Sequence, residues 1–309
     1  MLNEVTSMLK STATTTKKID QQIQFFIKVI GTTLKVFGGL SAIAQVVLLF
    51  LEPESRLTTF LALIVSLGLF WLGTKSVLNR LLQLIFSHRT TSKIVIFCLP
   101  IFLTGFLILL RIGLGYEQWK DMNTEGGFIE YGTCLAFLLA GIFAFKVARN
   151  LIRWQERGLG YFYYVITVGF FLVGMEEISW GQMLFGFESV EFFQTYNSQE
   201  EITIHNLIWI NEYLDKSLMF VSLIAGISWF IYRLISKVRV NYRAKYLIPA
   251  WFLASFFVLV FIFFYLIEYV QIWNPDIENF QESFELIFSL GCLGFILTNF
   301  FTSNSLGKE

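Results

Sequence analysis

Charged residues are scarce in this sequence. Only 15% of its 309 residues are Asp, Glu, Lys or Arg, whereas a soluble globular chain carries roughly 25%. Apolar residues make up 55% of the chain, and its mean hydropathy is +0.63. The composition therefore argues against a water-soluble enzyme and predicts an integral membrane protein embedded in a lipid bilayer.

Histidine, cysteine and proline are also rare. With two histidines, one chain cannot form a zinc site of three imidazoles. The three cysteines lie in apolar runs without paired spacing, which predicts buried thiols rather than a disulfide framework or a metal knuckle. Four prolines exclude a long disordered linker. The 23 basic and 23 acidic residues balance, so no basic excess indicates a nucleic-acid partner.

The sequence does contain long apolar runs bounded by charged residues. A transmembrane helix needs about 20 apolar residues, and eight runs are candidates. They are Val36–Leu51, Leu57–Thr74, Ile94–Leu114, Phe128–Phe145, Gly160–Leu184, Ser217–Tyr232, Leu247–Ile267 and Phe284–Phe301. The predicted fold class is all-α: a polytopic membrane helix bundle of about eight transmembrane helices, forming one integral membrane domain over residues 1–309.

The distribution of charge predicts the orientation of this bundle. Nineteen of the 23 Lys and Arg residues lie in the N-terminal segment, the even-numbered loops and the tail, and 19 of the 23 acids lie on the opposite side. Because basic loops remain in the cytoplasm, we expect both termini, including segment 1–35, to be cytoplasmic. The acidic face then lies outside, which in a bacterium means outside the cytoplasmic (inner) membrane.

Acidic side chains gather at the outer ends of the predicted helices. Glu176 lies 19 residues after Arg157, or about 28 Å of helix, which is close to the hydrocarbon thickness of about 30 Å. Carboxylates at that depth usually face a bundle interior or a watery cavity. We therefore predict one outward-facing cavity whose candidate catalytic residues are Glu130, Glu176, Glu177 and His205.

The adjacent acids Glu176 and Glu177 are expected to have different roles. Neighbouring residues of a helix point about 100° apart. Glu177 shares a stripe with Gly174 and Gly181, where small residues let another helix approach closely, and Glu176 shares a face with Trp180. The alternative is that both are interfacial acids solvated by water.

The loop 185–216 is the longest in the chain, and we expect it to lie outside with a helix in the membrane interface. If Ser198 caps a helix, Glu201 and His205 lie one turn apart on one face and are able to share a metal ion or a proton. The alternative for Glu201 is a capping box with Ser198, which requires no chemistry. The alternative for His205 is a structural histidine in the headgroup layer.

Three further acids, Glu278, Glu282 and Glu285, are spaced along one face where the eighth predicted span begins. Asn279 is a plausible helix cap, and acids in a first turn suit the helix dipole. A structural role is the favoured interpretation of this cluster.

Three motifs carry a resemblance to known proteins: Glu125-Gly126-Gly127-x-x-Glu130, the run Glu-Glu-Ile-Ser-Trp-Gly-Gln over residues 176–182, and Asn-x-Gln-x-Glu-x-x-x-His-Asn over residues 197–206. On these motifs the chain resembles a family of uncharacterised bacterial polytopic membrane proteins, which supports the choice of residues and implies no reaction. It is less similar to membrane metalloproteins of the CAAX prenyl protease type. The motif of those proteins also opens with paired glutamates. They carry Arg at the position of Gly181, however, and they have a second outer histidine.

The outer residues limit the metal that the site can take. One imidazole with several carboxylates suits Mn, Mg, Ca or Fe better than a His-rich zinc site. The expected ligands of such a divalent cation are Glu176, Glu201 and His205.

Three functions remain open. The first is a metal-assisted hydrolase or transferase acting on a lipid-linked substrate at the outer leaflet, with substrate-binding roles for Trp180, Gln182 and Asn206. The second is a transporter with an outward cation or proton site, and the third is a non-catalytic assembly subunit with an acidic docking face. The inner halves of the spans contain no acid, which favours a one-sided site over a conduit.

Overall fold

The computed structural model describes residues 90–123, 127–197, 201–235, 242–270 and 280–305, together with isolated positions between 32 and 74. The chain divides into two compact units. The first comprises Met1–Ser92 with Ser305–Glu309, and the second comprises Lys93–Asn304. All candidate site residues belong to the second unit.

The all-α prediction is confirmed, because within the described ranges the chain forms helices and no strand. In chain order the helices are α1 (Thr90–Leu114), α2 (Tyr116–Asn123), α3 (Phe128–Arg153), α4 (Arg157–Glu176), α5 (Gln182–Phe185), α6 (Glu191–Tyr196), α7 (Ile208–Ile235), α8 (Ala254–Val270) and α9 (Gln281–Ser305). Short 3-10 turns occupy Ser179–Gly181, Tyr242–Tyr246 and Trp251–Leu253.

Among the described residues, six helical segments are long and apolar enough to cross a membrane. They are Thr90–Leu114, Phe128–Arg153, Arg157–Glu176, Tyr213–Ile235, Tyr242–Val270 and Gln281–Asn304, and they overlap the third to eighth predicted spans. The first two predicted spans, Val36–Leu51 and Leu57–Thr74, lie almost entirely outside the described residues. The chain therefore has the helices of a multi-pass membrane protein, and the count of eight stays a prediction.

Helices α3 and α4 form a tightly packed antiparallel pair. A Cβ atom added to Gly174 would lie 3.2 Å from the Leu138 side chain and 3.3 Å from the Cys134 carbonyl oxygen. The absence of a side chain at Gly174 thus permits the close approach of helices expected at this position. Between the two helices the chain reverses at Gln155, which has a left-handed backbone with φ of 64°.

Helices α8 and α9 pack through aromatic side chains. The rings of Phe263 and Phe284 stack with their centroids 3.9 Å apart and their planes within 9°. Val260 and Ile287 are fully buried in the same cluster. This packing positions the first turns of α9, which carry Glu282 and Glu285, near Glu177 at the end of α4.

Polar contacts at the opposite, basic end also tie helices together. Asn150 donates hydrogen bonds to Ser303 (3.0 Å) and Asn304 (2.8 Å). Glu156 pairs with Arg243 at 3.2 Å and accepts a hydrogen bond from the Tyr242 hydroxyl. The Tyr242 hydrogen bond and the Arg243 guanidinium hold the pKa of Glu156 below its usual value.

Candidate functional site

The site begins where α4 stops. Ser179, Trp180 and Gly181 have φ values of 48°, 54° and 87°, so three successive residues adopt the left-handed backbone that a right-handed helix cannot contain. The predicted fifth span, which continued helical to Leu184, is therefore wrong beyond Glu177. Non-glycine residues rarely adopt this conformation, and such strain is characteristic of functional segments.

The turn redirects the chain so that Trp180 folds back onto Glu176. The indole Nε1 of Trp180 donates to Glu176 Oε1 at 2.6 Å. The other carboxylate oxygen, Oε2, accepts the backbone N–H groups of Ile204 (2.6 Å) and His205 (3.1 Å). Glu176 thus fastens the segment that contains Ile204 and His205 to the end of α4 by charge-assisted hydrogen bonds.

Glu176 also orients the ring of His205. The imidazole Nδ1 lies 3.3 Å from Glu176 Oε2, and a carboxylate can only accept a hydrogen bond. A neutral His205 therefore carries its proton on Nδ1, which leaves Nε2 as the nitrogen that can take up a proton. A base oriented by a third group is the arrangement found in acid–base and nucleophilic catalysis.

The segment 201–206 is not helical, so the prediction that Glu201 and His205 share a helix face is wrong. Asn197 organises this loop instead: its side-chain NH₂ donates to the Thr203 carbonyl and hydroxyl oxygens, both at 2.9 Å, and its carbonyl accepts the Glu201 N–H at 3.3 Å. A single antiparallel bridge joins Asn197 to Leu207. Ser198, the expected cap, lies outside the described residues.

Glu201 and Gln182 have structural contacts within the loop. Glu201 is buried and accepts a hydrogen bond of 2.5 Å from the Ser179 hydroxyl. The side-chain oxygen of Gln182 accepts the Ile202 N–H at 2.8 Å. The contacts of Ser179 with Glu201 and of Gln182 with Ile202 thus link the left-handed turn and the residue after it to the segment that carries His205. Asn206 is buried beside His205 in the sequence.

A second group of carboxylates lies beside the pair of Glu176 and His205. Glu177, Glu282 and Glu285 each place one carboxylate oxygen within 4.8 Å of the others. Like charges this close repel one another, and a cation between them would relieve that repulsion. Carboxylate oxygens are the ligands preferred by Mg, Ca and Mn, so these three residues are able to hold a divalent cation.

The acids of α9 were not among the site residues expected from the sequence. Their spacing placed Glu282 and Glu285 on one helix face, but nothing local indicated that Glu177 would meet them. Gln281 extends the group further, since its side chain donates to Glu285 at 3.3 Å and to Asp215 of α7 at 3.4 Å. The α9 face is therefore continuous with the part of α7 that carries Asp215.

A cavity of about 560 Å³ lies between α3, α4, α7 and α9. Glu176, Glu177, His205 and Glu285 line one end. The remaining wall is almost wholly apolar and includes Phe137, Phe170, Leu218 and Phe288. Glu130 is buried in the first turn of α3 and interacts electrostatically with Glu177, but it is not among the residues that line this cavity.

Comparison of the chain with protein-family models, with curated proteins and with solved structures finds no match to any of them. Function must therefore be inferred from the chemistry of the cavity. Its polar end combines an oriented imidazole with closely spaced carboxylates, and its body is apolar. Such a cavity suits a molecule with one polar end and a hydrocarbon part.

Proposed function

We propose that the protein is a membrane-embedded hydrolase or transferase that acts on the headgroup of a lipid-linked substrate. The observation that carries this proposal is the amphipathic cavity, whose apolar wall ends at Glu176, Glu177, Glu285 and His205. The apolar part accommodates the lipid, and the polar end meets its headgroup. Binding sites of about 300–1,000 Å³ are typical for small molecules.

His205 is the general base or acid of this proposal. Glu176 holds Nδ1 at 3.3 Å, so Nε2 is the atom that takes a proton from water or from an acceptor hydroxyl and returns it to the leaving group. Glu176 is a positioning residue, since its oxygens are occupied by Trp180, Ile204 and His205.

Glu177, Glu282 and Glu285 are the proposed ligands of a divalent cation, with Mn, Mg, Ca or Fe as candidates. A bound cation would polarise the headgroup oxygen or lower the pKa of a water molecule. The hydrogen bond from Ser179 to Glu201 and the contacts of Glu176 favour this set over Glu176, Glu201 and His205.

The proposed membrane orientation places this site outside. Nineteen of the 23 basic residues fall on the opposite side of the predicted bundle, and basic loops remain cytoplasmic. We propose further that the chain crosses the membrane eight times and that both termini are cytoplasmic. In a bacterium the membrane would be the inner membrane. The substrate is then drawn from the outer leaflet.

The close carboxylates support a second candidate, a transporter with a cation or proton site. Its ion would have to continue inward past Cys292, Phe295 and Ile296, which line the apolar part of the cavity. Uptake of Mn²⁺ into liposomes containing the purified protein, abolished by Glu285→Gln, would favour this candidate over the enzyme.

The enzyme proposal is tested with the full-length protein in detergent. The protein is incubated with a total polar lipid extract and Mn²⁺ or Mg²⁺, and new lipid species are identified by mass spectrometry. We expect products with the wild type and with Glu188→Gln, a matched change of an exposed outer acid. His205→Ala should lower their formation by about 10²–10⁴-fold. A wild-type lipid profile that equals that of the protein-free control would contradict the proposal.

A further inference from the structure

The cavity extends from the outer ends of the helices to about the middle of a bilayer. On α4 its lining residues run from Glu176 back to Ile166, and on α9 they run from Glu285 to Ile296. At 1.5 Å per residue these distances are about 15 and 16 Å. Half of a hydrocarbon core of about 30 Å is also about 15 Å, so the cavity is as deep as one leaflet.

The polarity of the wall restricts what can fill this depth. All four acidic or basic residues of the lining lie at the outer end, and the inner part is formed by side chains such as Ile166, Phe295 and Ile296. A molecule with polar groups along its length would leave them unpaired against this wall. The occupant that fits is a single hydrocarbon chain with its polar end at the carboxylates.

The wall also reaches the outer surface of the bundle. Val173 of α4 and Val221 of α7 line the cavity, yet they are 42% and 50% exposed. Their sequence neighbours Leu172 and Phe220 are 49% and 61% exposed and belong to the apolar surface that spanning helices present to lipid. A chain is therefore able to pass sideways between α4 and α7 while its headgroup stays at the interface.

From this geometry we propose that the cavity is a binding site for one hydrocarbon chain of an outer-leaflet lipid, and that its floor at Phe295 and Ile296 limits the chain length. An extended chain advances about 3.5 Å for every three bonds, so about 15 Å holds roughly a dozen carbons. The inference rests on the proposed function and specifies its substrate: a single-chain lipid, or one chain of a larger lipid, with a neutral or cationic headgroup that suits the acidic end.

Gly169 offers a direct test, because it lines the cavity and a Cβ added there would meet nothing within 4 Å. It lies seven residues from Glu176, at a depth of about 10 Å. Gly169→Leu should fill the inner part of the cavity without a clash at Cβ and should improve helix propensity. Gly158→Leu is the matched control: it lies on the same helix in equally open space, and it does not line the cavity.

The experiment uses the full-length protein in detergent with an equimolar ladder of monoacylglycerols of increasing chain length. Native mass spectrometry reports which chain lengths stay bound. Wild type and Gly158→Leu should retain chains of up to about a dozen carbons and bind longer ones no better. Gly169→Leu should retain the longest fitting chain about tenfold less, because several methylenes lose their contacts, and its preferred chain should be about three or four carbons shorter.

A second variant keeps the test decisive if Gly169→Leu does not fold. Phe295→Ala removes part of the floor and should extend the longest retained chain by several carbons. Equal profiles for wild type, Gly169→Leu and Phe295→Ala, or no retained lipid at all, would overturn the inference. The ladder experiment measures binding and does not depend on turnover. A limit on the bound chain length, together with no product in the lipid-extract assay, would therefore contradict the enzyme proposal alone. Turnover dependent on His205 without a length limit would contradict this inference alone.

Discussion

One carboxylate oxygen of Glu176 contacts both the backbone and the ring of His205: Oε2 lies 3.1 Å from the backbone nitrogen and 3.3 Å from Nδ1. The same carboxylate accepts hydrogen bonds from Trp180 and Ile204. The position of the imidazole therefore depends on a single acid at the end of a membrane-spanning helix.

Glu176→Gln tests this dependence. A glutamine has one acceptor oxygen where the glutamate has two, so either the Trp180 indole or the backbone N–H groups lose their partner. We expect a loss of about 1–3 kcal/mol in the free energy of unfolding and a fall in turnover through misplacement of His205. Thermal unfolding and the lipid-extract assay measure the two effects. Glu188→Gln, the control, should change neither.

The hydrogen bond between Ser179 and Glu201 is expected to stabilise the left-handed turn. Ser179→Ala leaves a buried carboxylate without this donor and should cost about 1–3 kcal/mol. Replacing both partners, as in Ser179→Ala with Glu201→Leu, should cost less than the two single changes added together. Additive effects in this double-mutant cycle would show that the contact contributes nothing to stability.

The transmembrane pattern was predictable from the sequence because bilayer thickness sets the length of an apolar run. Six predicted spans overlap helices of the described residues, although the fifth extended too far. The end of α4 was not predictable, since neither Ser179 nor Trp180 has a preference for positive φ. The turn is held by contacts across 20 or more positions, from Ser179 to Glu201 and from Gln182 to Ile202.

The candidate site was predictable only in part. Depth along the helix indicated Glu176 and Glu177, and both line the cavity together with His205. The meeting of Glu177 with Glu282 and Glu285 joins segments more than 100 residues apart through the packing of the bundle. Local spacing in the sequence contains no information about such a contact.

A bound cation should make thermal stability depend on Glu177, Glu282 and Glu285. A ligand that binds only the folded state raises stability by mass action, so melting temperature should rise with added Mn²⁺, Mg²⁺ or Ca²⁺. Because binding requires ionised carboxylates, the rise should shrink as pH falls. A Glu→Gln change at Glu177, Glu282 or Glu285 should abolish the rise in melting temperature, whereas Glu201→Gln should leave the rise unchanged. If neither ions nor chelators shift the wild-type melt, the cation proposal fails.

The pKa of Glu156 predicts a pH effect at the opposite end of the bundle. The pKa of Glu156 is held below the ordinary value of about 4.3. Its ionised carboxylate therefore stabilises the fold at pH values above about 4.3, and this stabilisation is lost as the pH falls through the lowered pKa. Tyr242→Phe should therefore lower the free energy of unfolding by up to about 1 kcal/mol near neutral pH and have no effect in strong acid. Tyr161→Phe, at an exposed tyrosine, is the control; equal pH profiles for all three proteins would count against the contact.

Membrane orientation is tested with topology reporters. A reporter fused after Lys308 should be active in the cytoplasm, and one inserted near Ser198 should be active outside, because the basic residues partition 19 to 4. Opposite results at either position would reverse the orientation and place the cavity in the inner leaflet.

Chemical rescue of His205→Gly tests the central claim most directly. In the lipid-extract assay this variant should form product about 10²–10⁴-fold more slowly than wild type. Added imidazole should restore part of the rate, increasingly so as pH rises and more imidazole is neutral. Glu188→Gln should behave as wild type throughout. Wild-type turnover in His205→Gly, or a loss that imidazole does not relieve at any pH while the variant remains folded, would contradict the role of His205 as the acid–base group.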